Sequence, residues 1–205
     1  IILGTNSIKD TGYDVANSCR FDSGSSDNLS RSVSSTGNKK TFTFSTWVKR
    51  GKLASGNCMF STGSANTNDV FIHFPSEDVL LVQARYSSSN VLHFITNRLF
   101  RDVSATYHIV VAVDTTQGTA SNRVKIYING VQETSFSTET YPSENQLLRI
   151  NEASYTNYIG NLRGSSNYFN GYMSEVVLVD GTQLDATSFG EFDEDSGIWK
   201  PIDVS

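Results

Sequence analysis

The segment TASNRVKIYINGVQETSF at residues 119–136 constrains the fold of this chain more than any other. Val124, Ile126 and Ile128 recur at every second position, the period expected of a strand with one buried face. The dipeptide Asn129-Gly130 follows, and these residue types accept the two positive φ angles of a type I′ turn. Alternation resumes up to residue 136, so residues 124–136 are predicted to form a β-hairpin, and residues 115–122 before them a polar loop.

Segments with strand periodicity recur along the chain. Residues 41–48 place two phenylalanines and Val48 on one face, which we assign to the core, and Trp47 on a half-covered opposite face. Residues 107–113 are almost continuously apolar, which is typical of a central strand covered on both faces. Residues 79–86 and 91–96 are predicted to pair.

About a dozen short strands follow one another at the spacing typical of β-sandwiches and barrels. One helical turn is predicted, at residues 184–189, and no βαβ unit is visible. Residues 147–150 are predicted to form a weak strand, and residues 137–146 to be irregular. The pattern predicts an all-β fold, a two-sheet antiparallel jelly-roll sandwich, because this closure leaves few exposed strand edges.

The 205 residues are long enough for one large sandwich that buries most of its apolar surface. Residues 1–16 show no sustained period and are predicted to be a lead-in segment or linker. Residues 17–189 form the predicted sandwich domain. Residues 190–205 are predicted to be a tail that packs on the domain or on a neighbour, with Trp199 buried.

The charge distribution excludes two classes of partner. The net charge is −5, and no run of Lys or Arg is longer than two residues. Nucleic acids and anionic membranes are bound through clustered positive charge, so neither is an expected partner. No apolar run approaches the roughly 18 residues of a membrane span, so we expect no membrane insertion.

The two cysteines, Cys19 and Cys58, leave two alternatives open. They are buried free thiols, or they form a single disulfide that a chain of this size does not need for stability. A zinc site requires four convergent ligands, and the spacing of His73, His93 and His108 does not suggest one. These histidines are predicted to be core or sheet-surface side chains.

Three segments resemble those of a known fold family. They are FTFSTWVK at residues 42–49, VKIYING at 124–130 and FNGYMSEV at 169–176. In this order they resemble the scaffold motifs of laminin G-like, concanavalin A-like jelly-roll domains. The resemblance implies the sandwich fold and says little about the ligand.

A narrower resemblance concerns the two ends of the domain. The segments NSCRF at residues 17–21, LSR at 29–31, TFTFS at 41–45 and the stretch from FGE at 189–191 through WKP at 199–201 are together similar to those of domains in virion proteins of marine tailed phages. Such domains belong to tail, fibre or capsid-associated polypeptides. The resemblance implies a structural or adhesive module with a virion or extracellular location. The implied partners are other virion subunits, including further copies of this chain.

The chain is predicted not to be an enzyme. Glycoside hydrolases of similar fold carry acidic residues alternating along one concave strand. The nearest match here, EFDED at residues 191–195, follows the last strand and lies between glycines, where a solvated turn is expected. Nucleophile-elbow and phosphate-loop motifs are absent from the sequence. A polysaccharide-cleaving enzyme of the same fold is the alternative.

No cofactor is predicted, and a calcium ion is the alternative. Laminin G-like domains often hold one calcium ion at the rim of the sandwich, and the ion requires several oxygen ligands. The best local cluster is Asn66, Asn68 and Asp69. An ordinary polar turn is the other interpretation of these residues.

Sugar binding is the more specific functional hypothesis. Glycans stack their C–H groups on aromatic faces and bind amides through their hydroxyls. Residues 151–158 and 165–170 combine tyrosine with asparagine in this way. The alternative is that these tyrosines cover the ends of the sandwich. The predicted ligand-binding residues are Tyr155, Tyr158, Asn167 and Tyr168.

The sequence therefore predicts a non-catalytic module of a phage particle that binds host-surface glycans or decorates the particle. The alternative is a purely structural assembly subunit without glycan binding. In that case the apolar residues Ile1, Ile2 and Leu3, or the tail at residues 198–204, would dock on a neighbouring subunit.

Overall fold

A computed structural model of the chain describes residues 13–64 and 67–204. Within these residues two large antiparallel sheets pack face to face, and a short hairpin packs on one of them. The predicted all-β, two-sheet antiparallel sandwich is confirmed. The strands, in chain order, are β1 Cys19–Phe21, β2 Leu29–Ser32, β3 Thr41–Arg50, β4 Asn57–Ser64, β5 Asn68–Phe74, β6 Val79–Tyr86, β7 Ser89–Leu99, β8 Tyr107–Asp114, β9 Val124–Ile128, β10 Val131–Gln132, β11 Phe136–Thr140, β12 Thr156–Ile159, β13 Gly171–Asp180, β14 Gly190–Phe192 and β15 Trp199–Pro201.

Strand order brings distant parts of the chain together. The six-stranded sheet has the order β1-β13-β3-β8-β9-β10, and the seven-stranded sheet has the order β11-β7-β6-β5-β4-β12-β2. The late strand β12 lies between the early strands β4 and β2. The segment that follows β12 therefore lies beside residues about 100 positions earlier in the sequence, as in the hydrogen bond from the Arg163 amide to Ser61.

The alternation in β3 sorts its side chains as predicted. Phe42, Phe44 and Val48 are buried in the core between the sheets. Trp47 points to the outer face of the six-stranded sheet, where it is 9% exposed. There it packs with Trp199 in a second apolar cluster. The hairpin of β14 and β15 covers this outer face, and the predicted burial of Trp199 is confirmed.

The hairpin of β9 and β10 is confirmed, but its second strand is shorter than predicted. Asn129 and Gly130 have φ angles of 50° and 81°, as a type I′ turn requires. β10 ends at Gln132, and the next residue, Glu133, forms an ion pair with Arg98 of the other sheet, at 2.6 Å between Oε2 and Nε. The chain then crosses to the seven-stranded sheet as β11, so the predicted alternation up to residue 136 is wrong.

Three further segments differ from prediction. Residues 137–146, predicted to be irregular, contain most of β11. Residues 147–150, predicted to be a strand, are irregular, yet Leu148 and Ile150 are fully buried in the core. A short α-helix, Ala120–Arg123, lies in a predicted loop. A loop that buries two side chains has the same apolar spacing as a strand, which explains the error at 147–150.

Other predictions are confirmed. β6 and β7 pair as an antiparallel hairpin. The helical turn within residues 184–189 is a 3-10 helix, Ala186–Ser188, capped by the Asp185 side chain. Within the described ranges, no helix is long and apolar enough to span a membrane.

The predicted division into residues 1–16, 17–189 and 190–205 stays a prediction. The proposed docking residues Ile1, Ile2 and Leu3 lie outside the described residues.

Candidate functional site

The candidate site lies on the outer face of the seven-stranded sheet. In β5, Val70 and Ile72 point into the core, so Asp69 and Phe71 point outward. In β6, Val82 points into the core, so its neighbours Gln83 and Arg85 are placed outward by the same alternation. The cross-strand pairs on this face are Asp69–Arg85, Phe71–Gln83, Phe71–Ser61 and Ser61–Tyr158.

Residues 160–168 follow β12 and lie against this face. Leu162 packs with Phe71 in a small apolar cluster. Arg163 has a left-handed backbone (φ 54°), which costs a residue with a Cβ atom roughly 1–2 kcal/mol. The conformation is held by a hydrogen bond of 2.8 Å from the Arg163 amide to Ser61 Oγ. The residues of this segment with positive φ are Gly160, Arg163, Gly164 and Asn167.

Two arginines converge on one buried carboxylate. Asp69 is fully buried, and Arg85 donates to it through Nε (2.8 Å to Oδ1) and Nη2 (2.5 Å to Oδ2). Arg163 Nη1 donates to the same Oδ2. The Arg85 guanidinium also lies over the Phe71 ring, 5.5 Å from its centre. Charge-assisted hydrogen bonds of this kind are strong and hold the guanidinium planes in fixed orientations.

Two predicted tyrosines flank the peptide at Gly164. The Tyr158 ring lies against Gly164, since a Cβ atom at this glycine would be 3.1 Å from the ring. The Tyr168 phenol donates to the Gly164 carbonyl at 3.3 Å. The Asn167 carbonyl accepts a hydrogen bond of 2.8 Å from the Cys58 amide. The structure therefore brings Tyr158, Asn167 and Tyr168 together around one segment, and their role as ligand-binding residues stays a prediction.

The predicted residue Tyr155 belongs to a neighbouring cluster around Arg149. The Arg149 guanidinium donates to Glu152 at 2.8 and 2.9 Å and lies 4.5 Å from the centre of the Tyr86 ring. Its Nε donates to Asn68 Oδ1 at 3.3 Å. Glu152 raises the pKa of Arg149, and the nearby Tyr155 adds to this effect. Tyr155 is thus separated from the pair of tyrosines at Gly164.

The predicted calcium ligands are engaged by other groups where the structure describes them. Asn66 lies outside the described residues. Asn68 Oδ1 accepts hydrogen bonds from Arg149 and from the Ser87 amide, and Asp69 accepts them from two arginines. An ion would have to displace these donors. Within residues 13–64 and 67–204, no group of three or more His, Cys, Asp or Glu is arranged to hold a metal. The calcium alternative stays a prediction.

The acidic run at residues 191–195 begins in strand β14, with Glu191 and Phe192, so the prediction that it follows the last strand is wrong, and only its later residues form the predicted turn. Asp193 Oδ1 accepts hydrogen bonds from the amide and the hydroxyl of Ser196, at 2.9 and 2.8 Å. These bonds and Lys200 hold the pKa of Asp193 well below its usual range. Glu191 forms an ion pair with Lys200 at 3.4 Å. Asp193 therefore stabilises a turn, and Glu191 is a member of an ion pair.

The cysteines and histidines have structural surroundings. Both cysteines are free, so the disulfide alternative is wrong. The prediction that both thiols are buried is right for Cys58 and wrong for Cys19, which lies on the surface. Burial raises the pKa of the Cys58 thiol. His73 and His108 are buried, and burial lowers the pKa of each to about 4, whereas His93 is partly exposed. The predicted core and sheet-surface positions are confirmed.

Sequence reasoning missed the arginines and Phe71 on this face. The alternation of Leu81, Gln83 and Arg85 along β6 was available in the sequence, because these residues share one face of a strand. No local pattern marks Arg163, whose partner Asp69 lies 94 residues earlier.

A second aromatic surface lies on the outer face of the six-stranded sheet. A cleft of about 400 Å³ is lined there by Trp47, Lys49, Tyr172 and Ser174. Tyr172 is exposed, whereas Trp47 is buried and its Nε1 makes no hydrogen bond to any residue that the structure describes. This cleft is the alternative candidate for the ligand site, beside the face around Gly164.

Comparison with solved structures identifies the same fold in proteins of low sequence identity. A heptameric SAP-like pentraxin from Limulus polyphemus has 16% identity and a TM-score of 0.50, over 74% of this chain and 68% of that one. The CBM40 of the Ruminococcus gnavus IT-sialidase has 11% identity and a TM-score of 0.50, over 78% and 95%. Domains LG4-5 of the mouse laminin α1 chain have 12% identity and a TM-score of 0.51, over 76% and 40%.

Comparison at the level of sequence assigns the family. No curated protein matches the chain. A laminin G family model, described as the concanavalin A-like lectin/glucanases superfamily, matches residues 22–186, which is most of the chain. The predicted resemblance to laminin G-like domains is thereby confirmed. The chain belongs to the concanavalin A-like lectin/glucanase superfamily.

Proposed function

We propose that this chain is a non-catalytic carbohydrate-binding module that holds glycans on the outer face of its seven-stranded sheet. The observation that carries the proposal is the pairing of Tyr158 and Tyr168 around Gly164, beside the two arginines at Asp69. Aromatic rings supply faces for sugar C–H groups, and guanidinium and amide groups supply donors for hydroxyls. The family description, which includes lectins, supports binding as the activity.

The same description includes glucanases, so cleavage of a polysaccharide is the second function to consider. The carboxylates that the sequence suggested for cleavage are those of the acidic run at residues 191–195. Glu191 and Asp193 are committed there to Lys200 and to a turn. Release of reducing sugar that disappears in Glu191→Gln would establish cleavage and refute the non-catalytic proposal.

We place the module in a phage particle, with a virion or extracellular location, host-surface glycans as ligands and other virion subunits as partners. The resemblance of residues 17–21, 29–31, 41–45 and 189–201 to virion domains supports this context. Assembly without glycan binding is the alternative. It is favoured by an apolar cleft of about 370 Å³ between β2 and β13, where Leu29 is 54% and Val176 39% exposed.

A glycan array with matched tyrosine variants tests the proposal. Tyr158→Ala and Tyr168→Ala each remove one ring and are expected to lower affinity about tenfold. Tyr172→Ala removes an exposed ring from the opposite sheet and is expected to leave binding unchanged. Thermal unfolding of each variant separates loss of binding from loss of fold.

The outcomes distinguish the alternatives. Binding that is lost in Tyr172→Ala and kept in the other two variants would assign the ligand to the cleft at Trp47 and refute the site proposed here. Defined oligomers without signal on any glycan would favour assembly over adhesion.

A further inference from the structure

We infer that the outer face of the seven-stranded sheet selects acidic glycans, and that Arg163 is the residue that determines this selectivity. The ligand class is an oligosaccharide that carries a carboxylate or a sulfate group. The inference rests on the proposed function, because it assigns a ligand class to the same surface.

The first argument is the balance of charge on this face. Asp69 is the one carboxylate in strands β4, β5, β6 and β12, and Arg85 is their one cation. Residues 160–168 add Arg163. Two guanidinium groups thus meet one carboxylate, which leaves one positive charge in excess on a chain whose net charge is −5.

The neighbouring cluster around Arg149 also has an excess of positive charge. Lys39 and Arg149 both form ion pairs with Glu152, at 3.5 and 2.8 Å, so two cations again meet one carboxylate. Asn68 joins the two clusters, because its side chain accepts from Arg149 and it directly precedes Asp69 in β5. A local positive potential on an acidic protein attracts anionic ligands to this region.

The second argument is the number of donors that remain. Arg85 satisfies both oxygens of Asp69 through Nε and Nη2, so this carboxylate is neutralised without Arg163. Arg163 uses Nη1 alone, and its Nε and Nη2 make no hydrogen bond within the described residues. Each arginine side chain is 18% exposed. The Nε–Nη2 edge of a guanidinium is the geometry that binds a carboxylate or a sulfate through two parallel hydrogen bonds.

The third argument is the backbone that carries Arg163. A left-handed conformation is unfavourable for arginine, and it is maintained here by the bonds from the Arg163 amide to Ser61 and from the Gly164 amide to Asn161. Strained residues persist where the surrounding structure holds them, and they concentrate at ligand sites. The next residue, Gly164, is the one that Tyr158 and Tyr168 flank, so the guanidinium and the aromatic pair are held by adjacent residues of one segment.

The experiment compares matched acidic and neutral probes on the full chain. The probes are lactose, sialyllactose and lactose carrying one sulfate, immobilised at equal density. We expect the acidic probes to bind at least about tenfold more tightly than lactose, as charge-assisted hydrogen bonds predict. Arg163→Gln is expected to abolish this preference, so that the acidic probes bind no more tightly than lactose. Added salt is expected to weaken binding of the acidic probes selectively.

Two control variants separate charge from geometry. Arg20→Gln removes an exposed arginine from the six-stranded sheet and is expected to keep the preference. Arg163→Lys keeps the charge but lacks the planar fork, and it is expected to lose most of the preference. Thermal unfolding confirms that each variant is folded.

Each outcome decides a separate question. Preference for sialyllactose over sulfated lactose assigns a carboxylate, and the reverse assigns a sulfate. Equal binding of neutral and acidic probes, or a preference that survives in Arg163→Gln, overturns the inference and leaves the carbohydrate-binding proposal in place. A folded protein that binds no glycan on a broad array refutes the carbohydrate-binding proposal itself.

Discussion

The buried imidazole of His108 predicts a loss of stability in mild acid. The ring is stacked between Trp47 and Trp199, with centroid distances of 4.6 and 5.9 Å. Nδ1 accepts a hydrogen bond of 2.9 Å from Trp199 Nε1, and Nε2 lies 2.9 Å from Ser45 Oγ. An indole N–H can only donate, so Nδ1 carries no proton and the neutral ring donates through Nε2. Burial accordingly lowers the pKa of His108 from 6.5 to about 4.

The sign and size of the effect follow from the two pKa values. Between pH 6.5 and pH 4 the unfolded chain binds a proton at His108 that the folded chain does not bind, so stability falls as the pH falls. For one histidine with these pKa values, the free energy of unfolding drops by roughly 2 kcal/mol between pH 7 and pH 5. The loss ends near pH 4, where both states are protonated. His73, with its pKa also lowered to about 4, contributes a loss of the same size.

Urea unfolding at pH 7 and pH 5, followed by tryptophan fluorescence, measures this difference directly. His108→Phe keeps an aromatic ring beside the two indoles but cannot titrate, so its loss of stability between the two pH values should be smaller than that of the wild type by roughly 2 kcal/mol. The variant should be less stable at both pH values, because Ser45 and Trp199 each lose a partner.

Ser45→Ala is the matched control, since it removes one partner and leaves the imidazole in place. It should show the full pH dependence of the wild type. An unchanged difference between pH 7 and pH 5 in His108→Phe would show that the ring is not held neutral in the folded state.

Three further predictions concern the packing of the sandwich. Arg50→Met removes from the buried Asp78 its ion-pair partner at 2.9 Å, leaving the exposed Arg101 at 3.5 Å, and should lower the free energy of unfolding by about 2–3 kcal/mol; a loss below 1 kcal/mol in urea would contradict this. A thiol reagent should modify one cysteine per folded chain, the exposed Cys19, and two in denaturant, because Cys58 is buried; rapid modification of both in the folded chain would refute this burial. Gly130→Ala should destabilise the protein by at least about 1 kcal/mol, because this residue has a φ of 81° and a Cβ atom there would lie 2.4 Å from the Trp199 ring; unchanged thermal unfolding would contradict this contact.

Local patterns in the sequence were sufficient for the fold class. The alternation in β3 and β9 and the Asn129-Gly130 turn depend on neighbouring residues alone, because side chains in a strand alternate between faces and a type I′ turn requires positive φ. The resemblance to laminin G-like domains supported the closure into two sheets, which the number and spacing of the strands already predicted. Where local pattern and tertiary context disagree, as at residues 147–150 and beyond Gln132, the prediction is wrong.

The candidate site was predicted in part, since Tyr158, Asn167 and Tyr168 lie around one segment while Tyr155 belongs to another cluster. Aromatic and amide composition identified the segments, but composition does not state which faces they share. Asp69 was singled out as a metal ligand because its own neighbourhood is polar. Its partners are arginines from other parts of the chain.

The sequence by itself determines that this chain forms antiparallel strands with one buried face, because the responsible interactions join residues that are close along the chain. The tertiary structure alone decides that β12 is inserted beside β4, and that Arg163 therefore reaches Asp69 across 94 residues. The physical reason is that strand order is set by the burial of apolar side chains summed over both sheets, which no single segment records. That order brings the charged and aromatic side chains of the candidate site together.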